Sequence, residues 1–262
     1  MLTATYTLNA VLMIVLPIIL AIVLVRRLKT RWSLLLWGAL VFIVSQGIRL
    51  PLLYGLTALL AGKDIMSKEA AVIFNIVFLS ITAGIFEESG RWLGYRFLVR
   101  DARTWEDGVT YGAGHGGVEA IILGALAGLA VINMVLLQNM DLSTLPLTAD
   151  QQAQTAASVA AFWSAPWYMS LLGAVERVFA LCLHISLSVI VLQCFVRRNW
   201  LWLLAAIAWH GLGNIVGVGL AQWVGPVEGE AGLAVVAVIS LAILFALRRR
   251  QAPAQPVEVV AP

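Results

Sequence analysis

The sequence predicts an all-α fold, a polytopic bundle of about seven transmembrane helices with the N-terminus outside and the C-terminus in the cytoplasm. Three observations lead to it. Apolar runs long enough to cross a hydrocarbon core recur along the chain, separated by polar breaks. Charged residues make up only 12% of the 262 residues, about half of what a water-facing surface of this size carries. With 61% hydrophobic residues and a mean hydropathy of +0.92, lipid is the solvent that tolerates the remainder. Finally, basic residues gather at alternate ends of the runs, which orients the chain.

The first span, roughly residues 8–25, is followed by Arg26, Arg27, Lys29 and Arg31. Its leading flank lacks a basic region, so it reads as a retained helix rather than a cleaved signal. The second, roughly 33–60, contains Pro51, which predicts a kink or break. Arg49 beside it reads as a snorkelling or capping residue. The third, roughly 70–98, runs into Arg96, Arg100 and Arg103, and the fourth covers roughly 108–138. Both exceed the minimum span, which predicts tilt or extension into the cytoplasm. Gly112, Gly114, Gly116 and Gly117 make the fourth thin near His115.

The stretch from Asn139 to Trp167 has no Lys or Arg, as expected for the outside. Within it, Thr148 to Ala161 predicts a short surface helix capped by Thr148 or Asp150. The fifth span, roughly 168–196, ends at Arg197 and Arg198 and carries Glu176 and Arg177 near its outer end. These two read as an outer ion pair, or as part of a substrate entrance. The sixth and seventh, roughly 200–221 and 230–247, lead to Arg248, Arg249 and Arg250. Residues 1–250 thus form one transmembrane domain, and 251–262 read as a disordered cytoplasmic tail. Most of the ten tryptophans, Trp32, Trp105 and Trp200 among them, sit near span ends as interfacial anchors.

The net charge of +3 does not indicate a nucleic-acid partner, because the basic residues sit at span ends and form no continuous patch. The two cysteines, Cys182 and Cys194, share one apolar segment and read as core residues, with neither a disulfide nor a zinc knuckle.

Ionisable residues inside spans carry the functional signal, since each costs about 2.5–3.5 kcal/mol at the bilayer centre. All three histidines, His115, His184 and His210, fall there. So do Glu87, Glu88 and Arg91, while Glu119, Ser188 and Asn214 each follow a histidine by one helical turn. Counted back from the cytoplasmic boundaries, Glu87, His115, His184 and His210 lie about 19, 12, 19 and 16 Å deep, in one layer. Four helices therefore present polar groups at matching depth. Imidazole and carboxylate are zinc ligands, and a catalytic zinc takes three protein ligands and a water. A carboxylate in apolar surroundings suits general-base work, and Asn can donate to an oxyanion. HExxH is absent, so any metal site must be assembled from separate helices.

Glu-Glu-Ser-Gly-Arg (87–91), Tyr-Gly-Ala-Gly-His (111–115) and His-Gly-Leu-Gly-Asn (210–214) occur in that order. They resemble the motifs of the CAAX-protease and bacteriocin-processing family of intramembrane proteases. The closer resemblance is to the YhfC family of intramembrane metalloproteases, with PrsW proteases more distant. Its cues are Gly114 to Glu119 and the extra His184 followed by Ser188. The likeness covers roughly residues 84–216, with Arg91 one residue closer to the Glu pair than in the CAAX-protease motif.

The resemblance implies a membrane-embedded hydrolase of a bacterial plasma membrane that cuts a peptide bond in a membrane-embedded or membrane-adjacent substrate. Glu87 would activate water, with Glu88 and Arg91 as supporting partners and Asn214 on the oxyanion. His115, His184 and His210 would bind a divalent metal, zinc by preference. The division of roles between Glu87, Glu88 and Glu119 stays open, as do the substrate and the oligomeric state. The rivals are a proton-coupled transporter or channel, which also carries Glu, His and Arg at the midplane, and a non-catalytic bacteriocin-immunity-like or scaffolding protein.

Overall fold

The computed structural model describes residues 1–60 and 66–249, and the predicted tail at 251–262 lies outside them. Eight α-helices appear among the described residues, with no strand: α1 Leu2–Leu28, α2 Trp32–Leu60, α3 Lys68–Leu93, α4 Trp105–Gln138, α5 Ala149–Ser164, α6 Leu172–Val196, α7 Leu201–Trp223 and α8 Pro226–Arg249. All but α5 are long and apolar enough to cross a membrane, so the protein is a multi-pass integral membrane protein with seven candidate spans.

Local chemistry sets the helix starts. Ser67 caps α3 by accepting from the Ala70 N–H at 3.2 Å. Thr104 and Asp107 form a capping box at the start of α4, and Thr148 with Gln151 does the same for α5. The surface helix predicted after Thr148 is thus present, capped by Thr148 rather than Asp150. Pro51 does not break α2, which continues as helix to Leu60. Arg49 donates across to the Leu79 carbonyl of α3 at 2.8 Å. At the basic end of α3 the helix closes in a π-helical turn, Gly94–Leu98. Beside it, Arg31 and Asp101 pair at 2.7 Å, which holds the exposed Asp101 carboxyl below its usual range. Any support from that pair is lost as pH falls through the lowered value, and exposure keeps it small.

The core gathers around α6, in which every residue from Leu183 to Cys194 is buried. Leu187, Val189, Val191 and Leu192 are fully buried there. Glycines let backbones meet around it. A Cβ on Gly114 would lie 2.2 Å from the Leu35 carbonyl oxygen of α2, and one on Gly84 would lie 2.7 Å from that of Ile207 in α7. We expect Gly114→Ala to destabilise the protein by about 1–3 kcal/mol through overpacking against backbone. Gly55→Ala, into open space, should be neutral or stabilising by up to about 1 kcal/mol. Unfolding of both variants in the same detergent checks the contrast.

Candidate active site

Four helices bring their polar side chains to one place. Glu87 and Glu88 come from α3, His115 and Glu119 from α4, His184 from α6 and His210 from α7. Glu88, Arg91 and His115 have no exposure, and Glu87, His184 and His210 almost none. The common depth expected from the sequence is therefore realised as a shared site.

At its centre, Glu87 Oε2 lies 3.1 Å from His115 Nε2 and 3.9 Å from His184 Nδ1. Glu87, His115 and His184 each bring one ligand atom within 4.8 Å of the others. Ligands about 2.0–2.2 Å from a tetrahedral zinc have separations of this order, so two imidazoles and a carboxylate fit a small divalent metal. The buried His115 Nδ1 has no hydrogen-bond partner. That nitrogen can carry the ring proton when Nε2 is given to a metal.

His210 stands differently from the sequence expectation of a third histidine ligand. It is not in that converging set. Its Nδ1 lies 2.7 Å from Glu88 Oε1, and its ring meets that of His184 edge-on at 5.3 Å. Glu88 is also paired with Arg91 in a fully buried ion pair, as the three-residue spacing suggested. Asn214 lines the adjoining cavity one turn beyond His210.

Arg91 reaches further, to His184 Nδ1 at 2.7 Å. Arginine can only donate, so Nδ1 accepts and the ring proton sits on Nε2. Nε2 lies 2.6 Å from Glu119 Oε2. A cation at the cluster would take the lone pair that Arg91 engages, and Arg91 would keep Glu88. Glu119 thus stands behind His184, and it receives Arg177 of α6 at 2.9 Å. Arg177 also pairs with Glu176, so the predicted outer ion pair extends inward to the site.

Gln46 was missed in the sequence. From α2 it donates to Glu87 Oε1 at 2.8 Å and accepts from Arg49 at 3.2 Å. The available signal was an amide three residues before an arginine within an apolar span.

A cavity of about 760 Å³ adjoins the cluster. Glu87, His184, His210 and Asn214 line one end, and Arg49, Glu176 and Glu230 line it toward the helix ends that lack the basic clusters. Cys182 and Cys194 are both free, as expected.

A family model described as YhfC intramembrane metalloprotease matches residues 12–222. That range holds every residue of the cluster. The chain is also similar to the "Uncharacterized membrane protein YhfC" of Bacillus subtilis (strain 168), at 31% identity over 223 residues, which cover 80% of this chain and 82% of that protein. No solved structure matches the chain.

Proposed function

The chain belongs to the YhfC intramembrane metalloprotease family, and from that premise we propose that it hydrolyses a peptide bond of a membrane-associated protein at the Glu87–His115–His184 cluster. The convergence of those three ligand groups, each from a different helix, carries the reading. They would hold a divalent metal, zinc by their chemistry. Such an ion polarises a carbonyl and makes water acidic enough to attack near neutral pH.

The chain's own residues supply the rest. Gln46 fixes one oxygen of Glu87 and leaves the other for the cluster. Glu119 stands beside the far nitrogen of His184, where its negative charge favours the tautomer protonated at Nε2. Glu88 fixes Nδ1 of His210, so Nε2 is the nitrogen left for the cavity. There it takes the proton of the attacking water and returns it to the leaving amine. Arg91 pairs with Glu88 in a dry setting and compensates its carboxylate there. Asn214 donates to the oxyanion. With the basic ends in the cytoplasm, the bond would be cut between the midplane and the cytoplasmic half of the bilayer.

Gln46→Leu should weaken metal affinity by about 10–100-fold, because Glu87 loses its orienting partner. Titration of the purified chain with zinc measures this, and an unchanged affinity would remove Gln46 from the site. The functional test compares new protein termini in bacterial membranes carrying the wild-type chain or His210→Gln. Termini within or beside membrane spans should appear only with the wild type and vanish on chelation. Identical profiles with a metal-loaded chain would end the hydrolase reading.

A further inference from the structure

α2 and α4 touch near the basic end of the bundle and part at the other. At the near end backbone meets backbone. A Cβ on Gly38 would lie 2.1 Å from the Tyr111 carbonyl oxygen. Further along α2, Gly47 and Gly55 face open space, with nothing within 4 Å of such an atom. Past Ser45, α2 has no buried residue. It stays instead with α3, through Arg49 and the Leu79 carbonyl. α4 stays along α1, where Gly124 packs on Ala10, Met13 and Ile14. The helices form a V. Glu87 sits near its apex, because the residue after Ser45 is Gln46, its hydrogen-bond donor.

The cavity fills this V. Ile43 and Leu50 on one arm, and Ile122 and Leu126 on the other, line the cavity. The same four residues are 48%, 55%, 40% and 54% exposed, so the cavity is open sideways, where acyl chains lie in a bilayer. Leu126 is about 10 Å along α4 from Glu119, a distance that about three extended residues cover.

The wall selects the occupant. Arg177 and Glu230 both line the cavity. Arg177 Nε and Glu230 Oε2 are buried and lack hydrogen-bond partners, one a donor and the other an acceptor. A hydrocarbon tail would leave both unpaired, whereas each peptide unit offers one acceptor and one donor.

We propose that the V between α2 and α4 admits an extended, apolar polypeptide segment from the bilayer, in the half of the bundle away from the basic ends, with its backbone running along the cavity toward Glu87. That this segment is then cut rests on the hydrolase reading, but its entry does not.

The test uses a membrane-spanning model peptide of Leu and Ala with a central photoreactive diazirine. It is reconstituted in phosphatidylcholine liposomes with the full chain, whose native cysteines are replaced by Ala. Labelling should reach Ala83 and Leu183, which line the cavity but are only 6% and 3% exposed, out of reach from the outer surface. Bridging Ile43→Cys to Ile122→Cys with a bifunctional thiol reagent after folding should abolish that labelling. Labelling of Ile19, on the outward face of α1, should persist. Labels confined to outward faces, or cavity labels that survive the bridge, overturn the proposal. A chain that shows the cavity labels but holds no metal keeps the portal and loses the hydrolase reading.

Discussion

His210→Gln lowers hydrolysis by about 10²–10⁴-fold, the usual cost of losing a general base, while the metal stays bound. The expectation comes from the different stations of the three histidines. His115 and His184 converge with Glu87. His210 is tied by Nδ1 to Glu88 and lies outside that set. Glutamine can still donate to Glu88, so no buried carboxylate is stranded, but it cannot take a proton from water. Turnover and metal content measured on the same preparation separate the two roles. Loss of metal in His210→Gln would return His210 to the ligand set, and full turnover would remove it from the chemistry.

Arg91→Ala destabilises the fold by about 3–5 kcal/mol, the largest stability effect expected of a single substitution here. Glu88 and Arg91 are wholly buried and paired. Removing the guanidinium leaves a carboxylate in a dry interior with only His210 as partner, and Glu88 Oε2 already lacks one. The same change frees His184 Nδ1. The double variant Arg91→Leu with Glu88→Leu removes both charges and should recover much of the loss. Denaturation in a fixed detergent reads both. A mild effect of Arg91→Ala alone would mean that water reaches Glu88.

The bundle was legible because lipid imposes one rule on every span. Seven apolar runs between polar breaks became seven helices, and the Thr148 cap followed from local hydrogen bonding. Of the kink or break that Pro51 suggested, the break does not occur, because a proline can sit within a helix that stays continuous. The candidate site was legible as a set of misplaced polar residues, since imidazole and carboxylate are costly inside lipid and gather there at one depth only for a reason. Their partnerships were not legible. Glu87 against His115, Glu88 against His210 and Glu119 against His184 depend on how α3, α4, α6 and α7 are rotated about their axes. Adjacent glutamates on a helix point about 100° apart, so Glu87 and Glu88 were bound to serve different neighbours. Gln46 escaped notice because an amide carries no charge, and its value appears only when α2 lies beside α3.

Metal content of the purified full chain bears most directly on the central claim that Glu87, His115 and His184 form one metal centre. About one zinc per chain is expected in the wild type and in His210→Gln. His115→Ala and His184→Ala should hold almost none while unfolding cooperatively near the wild-type midpoint. A folded wild type that takes up no metal, or folded His115→Ala and His184→Ala variants that keep a full complement, would contradict the account.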